Sequence, residues 1–525
     1  MEAAPGVEHV VAAVRSLYHD PDPKRKEEAS KWLNQLQRSV YAWTISDQLL
    51  QRKVDVETSY FAAQTMRSKI QTSFHELPAE AHVSLRNSLM DHLTTLTAAT
   101  SQVIVTQLCL AMADLIILMP EWADAIAELM AKLSGGGETV GALLEVLLLL
   151  PEEVDSRHMR IGANRRAQIK QLLTASAPHV TQFLQQMVES GGAGRQVSCV
   201  KCYTSWLTLG CVPLASVRAS PVMGLAVTAL SSPRTPAPLH EASADCLIAL
   251  LARIEREECA ELEVSTVAMV RGMEDSYQLA VAEEESEKCL NYCRVFTELG
   301  ESFLIKIVSS PPDQPHFSLP ILDTVLLCCG HPDYELPDVT FNLWYRLSEE
   351  LYTRNDDALV GVFKPQVERL IMCLWRHCHM EPDTAAVLEE GEDFAEFRGR
   401  VCELVKDCVF IVGSSTVFRQ MFQQLQQGQQ WEQTEAALFM MQVTTWSLGH
   451  LVTWSPGHLV TLLLGHWTPG PHLAPQAVAR NILPEEETVV PLVLQQVPLH
   501  HGAPCTIRRA ADILNQPPAT LHCVP

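Results

Sequence analysis

A chain of 525 residues is long enough for several globular domains or for one extended repeat array. It is 47% hydrophobic but only 6% aromatic, and its formal net charge is −23. That balance argues against direct nucleic-acid binding, which calls for a basic face, and favours basic protein partners whose attraction salt would weaken.

The N-terminal stretch MEAAPGVEHVVAAVRS is charged and lacks the apolar core of a leader. With sixteen scattered cysteines, this points to reduced thiols in cytosol or nucleus. In DPDPKRKEEASKWLNQLQRS, Asp22 is a natural N-cap and Pro23 suits the first helical position. Ala29, Trp32, Leu33 and Leu36 then mark one apolar face at i, i+3, i+4, i+7. A second helix is expected at about 41–52 and a third over 56–74. The stretch VIVTQLCLAMADLIILMP (103–120) is the best membrane candidate, yet it carries Asp114 well inside. A central Asp costs roughly 2.5–3.5 kcal/mol on insertion scales, so the segment reads as a buried helix and no membrane insertion is expected.

Helices of about 12–22 residues continue to about residue 443. Breaks are expected at Leu77-Pro78, Met119-Pro120, Leu150-Pro151 and His331-Pro332, with looser joints at 134–138, 189–194, 231–238 and 309–315. Few stretches alternate with period two. On the order of twenty helices, hence about ten antiparallel pairs at a period near forty residues, suit an all-α HEAT-repeat solenoid.

Metal and catalytic chemistry find little support. Cys199 and Cys202 form a lone CxxC inside an apolar helical stretch, which reads as core thiols. Cys373 and His377 share a helix face at i, i+4 but lack two further ligands. The glycines at 135–137 lack the Lys-Ser/Thr of a phosphate loop, and no Ser/His/Asp set stands out. No enzyme, metal or cofactor is expected.

Six strings carry a resemblance: LYHDPDPKRKEEASKWLNQLQRSVYAW, SYFAAQTMRSKIQTSFHELP, LPEEVDSRHMRIGANRR, CLNYCRVFTELGESFL, HPDYELPDVTFNLWYRLSEELY and DFAEFRGRVCELVKDCVFIVGS. In this order, across about residues 10–442, they resemble the importin-β-like karyopherins, and within them the transportin-SR type that imports serine/arginine-rich splicing factors. The resemblance implies a HEAT superhelix that shuttles between cytoplasm and nucleus and binds Ran-GTP, phenylalanine-glycine nucleoporins and SR-rich cargo. It divides the chain into N-terminal repeats (1–98), exportin/importin-like repeats (99–250), further repeats (251–443) and a tail (444–525).

The resemblance also implies that inner helices of the first pairs contact Ran. Taken as about 41–52, 79–98 and 121–133, these offer Asp47, Arg86, Asp91, Asp124 and Glu128. Acidic segments at 255–263, 274–288 and 388–397 would suit a basic partner, with Glu283, Glu284, Glu285, Glu392 and Asp393 as contact candidates; a solvated face is the alternative. The family's arginine-rich cargo helix lies in the second half of a longer array and has no match here, so the expectation is a truncated chain whose cargo half is missing.

The tail departs from the family. Eleven of 31 prolines and seven of 19 histidines fall in 444–525, and Gly-His recurs at 449/450, 457/458 and 465/466. Eight residues advance a helix by about 800°, so His450, His458 and His466 would not share a helical face. The octad reads as translated non-coding sequence, with 444–478 poorly ordered and the family pattern resuming weakly at about 478–516. A static HEAT scaffold, without nucleotide-controlled release, is the alternative function.

Overall fold

The computed structural model describes residues 5–190, 192–257, 259–382, 392–427 and 430–449, whose regular structure is helical, with no strand among them. α1 (Val7–His19) buries Val7, Val10, Val11 and Val14 along one face. α2 (Pro23–Arg38) starts where expected: the Asp22 carboxylate accepts from the Lys24 N–H at 3.0 Å, and Pro23 takes the first position. Ala29, Leu33 and Leu36 are buried. Trp32 is only half-buried, its ring edge-on to His9 at 4.6 Å between centroids.

There follow α3 (Tyr41–Arg52), α4 (Val56–Ser73), α5 (Ala79–Thr94), α6 (Gln102–Leu118), α7 (Ala125–Leu133) and α8 (Glu138–Asp155). Next come α9 (Ala163–Ser190), α10 (Ala193–Leu209), the short α11 (Leu214–Val217), α12 (Pro221–Ser231) and α13 (Ala237–Glu257). Successive helices pair as α1/α2, α3/α4, α5/α6, α7/α8, α9/α10 and α12/α13. From α4 on, the second helix of each pair packs on the second helix of the next, giving a layer α4–α6–α8–α10–α13. This is a HEAT-type solenoid, in which each pair buries its apolar face against its neighbours.

The chain divides into two compact units at Ser265/Thr266, within α14 (Ala260–Arg271). The second unit contains α15 (Glu274–Ala282), α16 (Ser286–Ser309), α17 (Ile321–Cys329), α18 (Glu335–Arg354) and α19 (Asp357–His377). It continues with α20 (Asp393–Val412), α21 (Ser414–Gln427) and α22 (Trp431–Gly449). They pair as α15/α16, α17/α18, α19/α20 and α21/α22, with the layer α16–α18–α20–α22. A Cβ at Gly300 on α16 would lie 2.7 Å from Leu343 Cδ2 on α18, so glycine is what lets these two helices approach.

Three of the four proline breaks fall between helices; the one at Leu150-Pro151 does not. α8 runs through Pro151 to Asp155. A proline lacks the N–H that would answer the carbonyl four residues earlier, here that of Leu147. The Trp206 indole N–H, on α10, donates to that carbonyl at 2.7 Å, and the Ser205 hydroxyl donates to the Leu148 carbonyl at 2.7 Å. The next repeat supplies the missing donor, so the helix continues. Sequence periodicity within α8 carries no sign of it.

α6 lies buried, Asp114 included, and no helix among the described residues is long and apolar enough to cross a membrane. The expectation that regular structure stops before residue 444 is corrected in part, because 444–449 form the end of α22. His450, His458 and His466, the rest of the 444–478 segment and the 478–516 stretch lie outside the described residues.

Trp206→Phe removes the donor from a buried carbonyl and is expected to cost about 1–3 kcal/mol in urea unfolding. In a Pro151→Ala background, residue 151 regains its own N–H, and the same change is expected to cost less than about half as much. Equal costs in both backgrounds would mean that the indole contributes packing alone.

Candidate functional site

The five residues expected at a partner surface lie on α3, α5 and α7 or just before α7. Asp47 on α3 accepts a hydrogen bond from the Ser88 hydroxyl and faces His92 Nε2 at 2.9 Å, both on α5. Its other oxygen takes the Gln51 amide at 2.8 Å. The His92 hydrogen bond, joined by that of Ser88, outweighs burial and holds the Asp47 carboxyl below its ordinary range.

Arg86 on α5 reaches Glu128 on α7 at 3.7 Å, and its guanidinium sits 5.3 Å from the centre of the Trp122 ring. Glu128 also accepts from the Trp122 indole at 2.9 Å and pairs with Lys132 at 3.2 Å. Burial disfavours its charge, but these donors and Arg86 prevail, and its carboxyl stays below the ordinary range. Asp47, Arg86 and Glu128 are therefore clasps between successive repeats. Asp91 and Asp124 are exposed, and the Asp124 side chain makes no capping bond to α7.

The sequence reading made these helices the inner face. The structure puts close side-by-side packing on the other layer, α4–α6–α8, and leaves α3, α5 and α7 meeting more sparingly. The five residues thus lie on the more open layer.

The closer layer holds a cluster that the sequence reading missed. Arg67 on α4 donates from Nε to Asp114 of α6 at 3.3 Å and from Nη2 to Glu153 of α8 at 3.1 Å. Asp114 is fully buried and Glu153 nearly so, and Asp114 Oδ1 and Glu153 Oε2 accept no other hydrogen bond. One guanidinium between two buried carboxylates leaves one negative charge too many. Burial first, then Glu153, outweighs Arg67 and pushes the Asp114 carboxyl up to about 7. The buried Asp114 carboxyl thus holds its proton well above the ordinary carboxylate range. A lone Asp inside an apolar helix was the legible half of this signal; its partners lie 47 and 39 residues away.

The acidic candidates of the second unit sit at helix junctions. Glu283 and Glu284 close the C-terminus of α15, their N–H groups bonded to the carbonyls of Leu279 and Val281 at 2.9 and 3.2 Å. Glu284 adopts φ 58°, the left-handed region where Gly or Asn is usual. The turn leaves all three glutamates exposed, with Glu285 3.4 Å from Lys288. Glu392 and Asp393 open α20 and are likewise exposed.

The set-aside metal candidates have structural roles. Cys199 and Cys202 are buried, and desolvation raises both thiols. His377 Nε2 hydrogen-bonds the Cys329 carbonyl at the end of α17, at 2.8 Å. Among the described residues, no three potential ligands converge.

Three family models match successive parts of the chain. The importin-beta N-terminal domain covers residues 29–95, the exportin 1-like protein 101–247, and the transportin-3/importin-13 second TPR domain 284–377. Transportin MOS14 of Arabidopsis thaliana is 26% identical over 478 residues, covering 84% of this chain and 48% of the relative. Human importin-13 is 25% identical over 467 residues, covering 83% and 47%. The chain thus spans about half the length of the curated relatives it matches. The solved structure of importin-13 in its cytosolic state superposes with a TM-score of 0.59 at 14% identity, over 74% of this chain and 46% of that one. That likeness concerns the fold alone.

The raised Asp114 carboxyl has a measurable consequence. Unfolded, the Asp114 carboxyl releases its proton near 3.8; folded, it holds it to about 7. Stability from this group is complete below the lower value and is lost as pH rises through the upper one. Asp114→Asn keeps the site neutral throughout and is expected to flatten the fall in Tm between about pH 5 and 8. An unchanged slope would place the titration elsewhere.

Proposed function

We propose that this chain is a nuclear transport receptor of the importin-β type and that it binds Ran-GTP through its first repeats. One observation carries this reading: the match to the importin-beta N-terminal domain falls on α2–α5, followed in chain order by two further models of transport receptors. The function is recognition of proteins, not catalysis. The receptor would shuttle between cytoplasm and nucleus, bind phenylalanine-glycine nucleoporins, and take SR-rich proteins as cargo in the manner of the transportin-SR type.

Within the first repeats, roles divide by exposure. Asp91 and Asp124 are exposed and able to meet a basic partner. Asp47, Arg86 and Glu128 are committed to clasps and would set the spacing of the helices that carry the other two. Glu283, Glu284, Glu285, Glu392 and Asp393 are proposed as secondary contacts for basic segments, since all five are exposed at helix junctions.

The test is a titration of the chain against Ran loaded with GDP or with a non-hydrolysable GTP analogue, at low and physiological salt. Binding confined to the GTP form and weakened by salt is expected. Asp91→Lys with Asp124→Lys is expected to weaken it about tenfold at low salt while helicity is kept. Failure of a folded, helical chain to distinguish the two nucleotide states would favour a static scaffold.

A further inference from the structure

The loop 310–320 joins α16 to α17 in the second unit, and its residues 311–315 are exposed. Ser310 stands at its entrance with φ −77° and ψ 143°, extended because the following Pro311 disfavours the helical region. Its hydroxyl donates to the Lys306 carbonyl at 2.9 Å, and its N–H to that of Ile307 at 3.4 Å. Among the described residues, Ser220, Ser232 and Thr235 also precede a proline. Ser220 and Thr235 are buried, whereas Ser310 is partly exposed and opens onto an exposed segment.

A cation from the next repeat stands beside this serine. α16 and α18 are tied midway by Glu301, which accepts from Asn342 at 3.0 Å and from Arg346 at 3.1 Å. At their C-terminal ends the acceptor is neutral: Arg354 Nη2 donates to the Ser309 hydroxyl at 3.2 Å. The same nitrogen meets Glu350, on its own helix, at 3.3 Å. Neither bond uses Nε or Nη1, so the guanidinium has N–H groups for a further acceptor. Ser310 adjoins Ser309, with consecutive Cα atoms about 3.8 Å apart. A phosphate on Ser310 therefore lies within a side chain's reach of Arg354.

An accessible serine in extended backbone before a proline fits the groove of a proline-directed protein kinase, and the guanidinium fits the product. We propose that Ser310 is a phosphorylation site and that Arg354 of α18 receives the phosphate. The Ser310 hydroxyl oxygen attacks the γ-phosphorus of ATP. The new O–P bond forms as the bond to the ADP oxygen breaks, and the hydroxyl proton passes to the kinase's base. The Lys306 carbonyl then loses its hydroxyl donor. A charge of about −1.5 to −2 appears at the C-terminus of α16, where the helix carbonyls alone would repel it. Arg354 reverses that balance through charge-assisted hydrogen bonds. The neutral tie becomes an ionic one, and phosphorylation fastens two successive repeats at their ends. The inference goes beyond the transport reading and does not depend on it, since a scaffold with this fold would hold the same serine and arginine.

The test incubates the full chain with ATP and a mitogen-activated protein kinase, and locates the phosphate by mass spectrometry. Ser310 is expected to be labelled at least about tenfold faster than Ser220 or Thr235, whose buried hydroxyls need local opening. A chain left unlabelled at Ser310, or labelled there no faster than at the buried sites, would overturn the site. The phosphorylated chain is then titrated by phosphorus-31 NMR beside a phosphorylated peptide of residues 304–316. Phosphoserine takes its second ionisation near about 6, and Arg354 is expected to lower it in the chain by at least about half a pH unit. Arg354→Gln, checked by circular dichroism for unchanged helicity, is expected to return it to the peptide's value. Ser309→Ala drops the neutral bond but keeps the guanidinium, and is expected to leave the lowered value in place. Equal ionisation in chain and peptide, or a lowering that survives Arg354→Gln, would overturn the role of Arg354. None of these readouts involves Ran, so this proposal and the transport reading fail separately.

Discussion

A buried backbone carbonyl must find a donor, and in a stack of helix pairs its own helix often cannot provide one. Helix C-termini and the turns before a proline leave carbonyls unanswered. Here the answer comes from a later pair. Arg165 reaches back to the carbonyls of Ile116 and Ile117 at the end of α6, at 3.2 and 2.8 Å. Arg253 donates to the carbonyls of Leu207 and Val212 at and beyond the end of α10, and Trp206 serves Leu147. His377 does the same for Cys329. Each of these side chains sets the register of one repeat on an earlier one, because an unmet buried carbonyl would cost about 1–3 kcal/mol.

The same stacking sorts the carboxylates of a strongly acidic chain. Some are held between repeats, Asp47 by hydrogen bonds to α5 and Glu128 by Arg86. Asp114 and Glu153 lie deeper and meet a single guanidinium, that of Arg67, and burial raises the Asp114 carboxyl. The rest stay on the surface, where Asp91, Asp124 and the glutamates at 283–285 carry the negative field toward solvent. Among these, the exposed group is the one able to meet a partner. Net charge alone therefore overstates the binding surface.

The architecture was legible because its causes are local. Valines at helical spacing in α1, the Asp22-Pro23 start of α2 and the Gly/Pro joints all act within a few residues. What escaped the reading acts across repeats. Nothing within α8 tells that Trp206 rescues Pro151, so a helix was read as two. Nothing near Arg86 tells that Glu128 meets it from α7. For a related reason, periodicity finds the buried face of each helix but not which helices stand side by side.

Three polar ties between repeats of the first unit also have a direction in time, whereas others, such as Ser348 to the Asp407 carbonyl, run the opposite way. Trp206 meets Leu147 across 59 residues, Arg253 meets Leu207 across 46, and Arg165 meets Ile117 across 48. Each donor lies C-terminal to the carbonyl it serves, and none reaches far beyond neighbouring repeats. During synthesis a repeat emerges from the ribosome with its carbonyls still in water. The donor that completes it follows seconds later, at about 5–20 residues per second. At these three joints the nascent chain can therefore close a repeat as soon as its neighbour is made, without waiting for distant sequence.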